Sequence, residues 1–288
     1  MNPENVFIIM RSHNDMPLVA ETLRMVAKQE HPFTLIGFDN ASNDRTREEV
    51  HKFAAAVYKV PKGEYVPGRV LNNGMKSSSG EFVVFLNSDC TPVNNKWLTN
   101  LLAGFTDNSV AAVFSRQMPR PNCAPLFARE TEEAYGDGHR QKFWKHCFSM
   151  ASSAIRRSVW QKMSFDENLQ YSEDIDWTWR VRQKGFNIQY VPDSAVFHSH
   201  NYSLKQYYKR HYGEGKAEAR IFHWTDWEKF WLRYSLMPFV RQILTDWKFC
   251  LKSLDSKSFA LSPALRLTQM LARREGFLIG LLEKRLRK

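Results

Sequence analysis

Short apolar runs separated by stretches of near-helical spacing set the rhythm of the first 120 residues. Residues 6–10 (VFIIM), 34–38, 57–60, 82–86 and 110–114 are four to five residues long and bounded by polar turns, which predicts buried strands. Between them Leu18, Leu23, Val26 and Ala27 predict a first helix, with Asp15 expected as its N-cap ahead of Pro17. Further helices are expected from Asn43-Asp44 to about residue 55, over 70–78 after a polar loop at 61–69, and over 97–105. Alternating strands and helices with short connections predict an α/β fold, a mainly parallel sheet covered by helices on both faces.

Ligands of such sheets bind beyond the carboxyl ends of the strands. Arg11-Ser12-His13, Asp39 and Asn87-Ser88-Asp89 each follow a predicted strand at that end. A strand-end carboxylate such as Asp89 can hold a divalent cation, and hence a diphosphate. Some eighty residues on, Ser172-Glu173-Asp174-Ile175-Asp176-Trp177 presents a second acidic cluster, followed by His198 and His200. A carboxylate there can take a proton from an attacking hydroxyl. Between these clusters, residues 116–145 carry Pro119, Pro121, Pro125, Gly136 and Gly138 and read as an irregular but ordered excursion over the site, a lid.

The ordered set VFIIMRSHND, FDNASNDRT, PGRVLNNGMKSSSGEFVVFLNSDCTPVNNKWL, FSMASSAIRRSVW, SEDIDWTWR and VFHSH resembles the family 2 glycosyltransferases of the GT-A fold, over about residues 5–215. Within that family the chain is most similar to rhamnosyltransferase-like members that build bacterial surface polysaccharides. The resemblance implies an inverting, metal-dependent transferase that moves a sugar from a UDP- or dTDP-sugar to a glycan or lipid-linked saccharide. It gives Asp174 the role of general base, with Glu173, Asp176 and Trp177 beside the acceptor. Trp177 either stacks on an acceptor sugar or packs in the core, and Arg180, one turn on, is expected to pair with Asp176. Asn87-Ser88-Asp89 stands where the family has D-x-D, so Asp89 is expected to bind Mn²⁺ or Mg²⁺, with His198 completing the site and His200 the lesser candidate. Asn87 removes one negative charge from that motif, and an imidazole ligand leans toward Mn²⁺. Arg11, Asp39, Ser42, Arg69, Asn87 and Ser88 are expected around the nucleotide. Asp39 would accept a pyrimidine N–H, or it simply shapes an Asx-type turn. Arg69 would pair with phosphate oxygens, or it is a surface arginine. Asp44 either shares the nucleotide site or caps the helix behind it, and Asn72 and Gly74 read as structural parts of a turn.

Composition changes the picture mainly beyond residue 204. Through Leu204 there are 23 Lys and Arg against 22 Asp and Glu, whereas residues 205–288 carry 18 against 8. The stretch past Asn201 is rich in aromatics, with Tyr202, Tyr207, Tyr208, Tyr212, Trp224, Trp227, Trp231 and Trp247. Leu265, Leu271, Phe277, Leu278, Leu281 and Leu282 alternate with Arg266, Arg273, Arg274, Lys284, Arg285 and Arg287. Such helices either lie on a membrane surface, form a homo-oligomer interface, or present a solvated basic face. We therefore expect a catalytic domain over 1–204 and a helical region over 205–288. The basic tail alone would suggest nucleic acid, and nothing in the first two hundred residues supports that partner. Four scattered cysteines without a C-x-x-C pair argue against a zinc knuckle or disulfide framework and fit a reducing cytoplasm. The N-terminus does not read as a secretory signal, and no window approaches about 18 uninterrupted apolar residues. The expected location is cytoplasmic, at the inner face of the membrane.

Overall fold

The computed structural model describes residues 6–139, 141, 148–222 and 236–286. The tail aromatics Trp224, Trp227 and Trp231 and the basic Arg287 lie outside the described residues, as does Cys147. The chain forms two compact units. The first comprises Met1–Asn122, Glu130–Leu169 and Glu173–Ser199; the second comprises Cys123–Arg129, Gln170–Ser172 and His200–Lys288.

The first unit is built on β1 (Phe7–Ser12), α1 (Leu18–Val26), β2 (Thr34–Asn40), α2 (Thr46–His51), β3 (Ala56–Val60), α3 (Pro67–Lys76), β4 (Phe82–Asn87), β5 (Thr91–Pro92), α4 (Trp97–Ala103) and β6 (Val110–Met118). There follow α5 (Pro125–Tyr135), whose residues 130–135 belong to this unit and 125–129 to the second, β7 (Ser152–Arg156), α6 (Arg157–Lys162), α7 (Glu173–Gln183) and β8 (Asn187–Phe197). The eight strands form one sheet in the order β3-β2-β1-β4-β7-β6-β8-β5. β1 to β4 run parallel, β7 is antiparallel to both β4 and β6, and β8 runs parallel to β6.

Side chains alternate across a strand, so each run feeds two cores. Ile8, Met10, Val84 and Leu86 pack with Val19, Leu23 and Val26 of α1 and Trp97, Leu98 and Leu101 of α4. Ile9, Val83 and Phe85 face Val70, Leu71 and Met75 of α3 and Trp177 and Val181 of α7. Helices therefore cover both faces, as the apolar pattern predicts. Each fully buried Ile, Leu or Phe contributes about 1.5–3 kcal/mol, which makes the sheet a firm base for loops at its edge.

Several expectations are corrected. Residues 116–139 are irregular only in part: β6 runs on to Met118 and α5 starts at Pro125, where a proline's missing N–H costs nothing, while 119–124 and 136–139 are turns and bends. Pro119 and Pro121 mark only the short connection between them. Arg69 lies within α3, not in a loop, because Pro67 opens that helix early. Asp15 does not cap α1; the N-cap is Pro17, without a side-chain bond, and Asp15 contributes its carbonyl to Val19 N–H at 3.0 Å. Asn43-Asp44 starts only a two-turn helix, α2, with the Asp44 carboxylate accepting from Thr46 N–H at 2.9 Å.

The second unit holds α8 (Leu204–Ile221), α9 (Leu236–Ser253) and α10 (Ser256–Leu286). A capping box between Ser203 and Gln206 starts α8. A Cβ on Gly215 would stand 2.2 Å from the Arg273 carbonyl oxygen, and one on Gly276 2.1 Å from that of Tyr212, so glycine is what lets α8 and α10 pack backbone to backbone. Leu126, Phe127, Tyr207, Cys250 and Leu265 form its core, and Ala219 with Phe277 a smaller one. No helix among the described residues is long and apolar enough to cross a membrane.

Candidate active site

Strand direction decides which residues share an edge. β1, β2, β4 and β6 end there, β8 runs the same way and delivers His198, and antiparallel β7 starts there, just after Met150 and Ala151. Register then sets the neighbours. Arg11 is the strand partner of Asn87 and Ser12 that of Asp39. Accordingly Arg11 donates to Asn87 Oδ1 from Nε at 3.2 Å and from Nη2 at 2.8 Å, while Ser12 Oγ donates to Asp39 Oδ1 at 3.2 Å.

The same arginine reaches the second acidic cluster, with Nη1 3.5 Å from Glu173 Oε1. Met150 and Ala151 make a second link between the clusters. Ala151 accepts the Asn87 N–H at 2.9 Å, and Met150 donates its N–H to Asp174 Oδ2 at 3.3 Å. Asn87 and Asp174 are thus held by adjacent residues of one segment. Asp174 Oδ1 also accepts from Ile175 N–H at 2.8 Å. Both acids stand at the amino end of α7, where the helix dipole favours negative charge.

Burial works against that charge. It pushes the Glu173 carboxyl up to about 7, with the neighbouring Asp174 charge adding to the rise and Arg11 opposing it. Burial likewise raises Asp174, against the N–H donors of Ile175 and Met150 and the charge of Arg11. A carboxylate poised in this way is suited to receive a proton near neutrality.

The Asn87–Cys90 turn, closed by Cys90 N–H to Asn87 O at 2.9 Å, presents Asp89. Asp89, Cys90 and His198 place one donor atom each within 4.8 Å of one another. His198 Nδ1 lies 2.7 Å from Oε1 of buried Gln117, so the ring N–H points there and Nε2 is left as an acceptor. That lone pair faces Asp89 Oδ2 at 3.5 Å. A carboxylate and an imidazole at this separation can share a proton or a cation, and that donor set suits Mn²⁺. Cys90 is a poor third ligand, because burial, followed by the Asp89 charge, raises its thiol well above its usual range.

Other expected residues take different places. Asp39 is fully buried, and its oxygens accept from Ser12 Oγ, Ser42 Oγ at 2.5 Å and Ser42 N–H at 3.1 Å. In this conformation it shapes the loop bearing Ser42 and is not open to a pyrimidine. Ser88 is also fully buried, its hydroxyl donating to Asp15 and its N–H to Arg11 O. Arg69 is half-exposed beside Glu167 at 3.6 Å, and Asn72 is buried, bonding Phe165, Glu167 and Trp160. Asp176, about 200° further round α7 than Asp174, binds Arg180 at 2.8 Å, the pairing its spacing predicts. Trp177 is fully buried, tilted against Phe165 with its indole N–H on Met163 O at 2.6 Å, so it belongs to the core and not to a sugar platform. His200 packs on Tyr202.

Four contributors escaped the sequence reading. Asp15 Oδ2 accepts from His13 N–H and Ser88 Oγ and so ties the first loop to the Asp89 turn. Burial raises its carboxyl. Arg120 clamps the Asp89 carbonyl at 2.9 Å and Thr91 Oγ1 at 2.7 Å. Gln117 and the Met150 N–H complete the set. Periodicity carries no trace of them, since each acts on a residue 24 to 81 positions away in the chain. Asn14, Ala41 and Ser172 bracket these loops with φ of 54°, 49° and 60°, left-handed values that cost non-glycine residues energy and cluster at functional sites.

Fold and site together define a GT-A-type transferase: a parallel-edged sheet with a candidate cation site and an acidic pair, Glu173 buried and Asp174 half-buried, at its carboxyl edge. Residues 7–163 match the family described as Glycosyl transferase family 2, and the chain belongs to that family. It is 30% identical over 203 residues to the O-antigen chain rhamnosyltransferase WbaN of Salmonella anatum, a match covering 65% of this chain and 63% of WbaN, less than two thirds of that relative. It is 24% identical to the O-antigen chain rhamnosyltransferase RfbN of Salmonella typhimurium, covering 74% of this chain and 72% of RfbN. Among solved structures it is similar to the mannosyltransferase PcManGT of Pyrobaculum calidifontis in complex with GDP-Man and Mn²⁺. That likeness has a TM-score of 0.65 and 17% identity, covering 97% of this chain and 88% of that one, and it shows the GT-A fold.

Proposed function

We propose that the protein is an inverting, metal-dependent hexosyltransferase that moves a sugar, with rhamnose the leading case, from a dTDP- or UDP-sugar to a growing glycan of a bacterial surface polysaccharide such as O-antigen. The observation that carries this reading is the double link between the two clusters, Arg11 on one side and Met150-Ala151 on the other. It brings the Asp89 turn and Asp174 to one sheet edge, which supports a donor side and a proton acceptor there. The likeness to the O-antigen chain rhamnosyltransferases WbaN and RfbN supports the sugar and the polymer.

Asp174 receives the acceptor hydroxyl's proton as that oxygen bonds to the anomeric carbon. The bond from that carbon to the diphosphate oxygen breaks, and its electron pair leaves with the nucleoside diphosphate. One displacement inverts the anomeric configuration. Asp89 and His198 would hold the divalent cation, Mn²⁺ or Mg²⁺, whose chemistry is to neutralise the leaving diphosphate. Gln117 orients His198, and Arg120 fixes the Asp89 turn. Asn87 serves as a neutral partner of Arg11, keeping the arginine between the clusters. Glu173, pushed up to about 7 by burial and so about half protonated at pH 7, lies beside the acceptor. The acceptor is a lipid-linked saccharide, and the enzyme works in the cytoplasm against the inner face of the membrane.

The test compares wild type and Asp89→Ala in donor binding with and without EDTA, using a panel of nucleotide sugars. The expected result is cation-dependent binding in the wild type and none in the variant. Equal affinity in all four conditions would remove Asp89 as a ligand. A catalytically silent nucleotide-sugar binder, which Asn87 in the D-x-D position would suit, would bind donor yet release no nucleoside diphosphate.

A further inference from the structure

Helix α9 is amphipathic in an unusual sense, because its second apolar face points out of the protein. Ile243, Asp246 and Cys250 are buried and turn toward the second unit's own core. Leu236, Met237, Val240, Leu244 and Leu251 are 47–79% exposed. At about 100° per residue these five fall within one arc of about 100°. Trp247, at the inner border of the arc, packs on Phe259 and closes it toward the core. Arg241, Lys248 and Lys252 are exposed along the opposite border, within the next about 60°. The helix has one acid, Asp246, and it is fully buried against Arg266 and Arg129. Asp255, just beyond, is engaged in capping α10 through Ser258 N–H at 3.0 Å. At the turn itself Leu254 is 90% exposed with φ of 52°, a position where glycine would be cheaper and less apolar.

We infer that α9 docks the protein on an anionic lipid surface, its leucine arc entering the headgroup boundary and Arg241, Lys248 and Lys252 lying on lipid phosphates. An apolar arc edged by cations, with no exposed acid on the helix, is the pattern that binds such interfaces. A second copy of the chain fits less well, because a two-fold pairing of this face would bring the same cationic border against itself. The inference deepens the membrane attachment proposed above, and its test reads lipid binding without any transfer step, so either reading can fail alone.

The experiment is co-sedimentation of the full chain with vesicles of phosphatidylcholine containing about 30 mol% phosphatidylglycerol, compared with pure phosphatidylcholine. The wild type should bind the anionic vesicles at least about tenfold more tightly, and lose that margin in about 0.5 M NaCl. Leu244→Asp should weaken binding by about 20-fold or more, since a buried leucine becomes a charge. The double variant Arg241→Glu with Lys248→Glu should weaken it by a similar factor, each cation being worth about fivefold. It carries the test if the aspartate variant melts early. Leu267→Asp, on an exposed leucine of α10, should bind within about twofold of wild type, as surface changes away from the arc are nearly neutral. Failure of the wild type to bind anionic vesicles overturns the inference. So does undiminished binding by folded Leu244→Asp, or a shift from dimer to monomer in that variant with lipid binding unchanged.

Discussion

Both units bury carboxylates beside arginines, and the two treatments have opposite results. In the first, two acids share one arginine, with Arg11 3.5 Å from Glu173, and burial wins: both carboxyls are raised. In the second, Asp246 is held by Arg266 at 2.6 Å, Arg129 at 2.5 Å and Ser262 at 2.7 Å, and its carboxyl is lowered despite burial. Glu214 likewise faces Arg273, His211 and Arg210, whose charges and bonds outweigh burial and hold it well below the usual range. Deficient compensation keeps a carboxylate ready to take a proton. Full compensation makes a structural tie.

The sharpest way to break this contrast is Asp174→Asn. Loss of the base should lower transfer by about 10³-fold, within the range for general base catalysis, while donor affinity by calorimetry stays within about threefold. Equal loss of both would return Asp174 to a structural role. Next, Arg266→Met leaves Asp246 short of a buried partner and should cost about 3 kcal/mol in urea unfolding, while Mn²⁺ binding at the other unit is retained. A neutral result would show that the second network is not a structural tie. Third, Gln117→Leu should lower Mn²⁺ affinity by about tenfold through loss of the His198 tautomer. A direct titration of the ion checks this, and an unchanged constant would remove Gln117 from the site.

The smallest effect is in pH. Glu173 stands near 7 in the folded chain against an ordinary 4.5, so the folded state holds that proton more tightly. The stability this contributes is full below pH about 4.5 and is lost as pH rises through about 7. Asp246 works the other way: its contribution is present above the ordinary carboxylate value and is lost as pH falls. Glu173→Gln should therefore flatten the neutral-side decline in melting temperature and leave the acid-side decline intact. Arg11→Met should move the acid limb of the transfer rate to higher pH, since the cation opposes the rise.

Much of the first unit was legible without coordinates. Short continuous apolar runs such as 82–86, bounded by polar turns, placed the strands, and the polar groups that follow them marked the working edge. The tail resisted the same reading. Arg266 looks like part of a basic face and is in fact the buried partner of Asp246, while Tyr207 and Phe277 are core. Among the described residues, α9 combines exposed leucines with exposed cations, the composition that characterises the region as a whole.

The chain's order of residues determined the strand-and-helix alternation, the family, and the acids at Asp89 and Asp174, because these depend on neighbours within a few positions or on motifs read in line. The tertiary structure decided the rest. It paired Arg11 with both Asn87 and Glu173, aimed His198 by Gln117, closed Asp39 off behind Ser42, and sent Trp177 into the core and Asp176 to Arg180. Each outcome depends on strand register or helix phase, where one step of slip sends a side chain to another face, and no linear pattern records which step the packing selects.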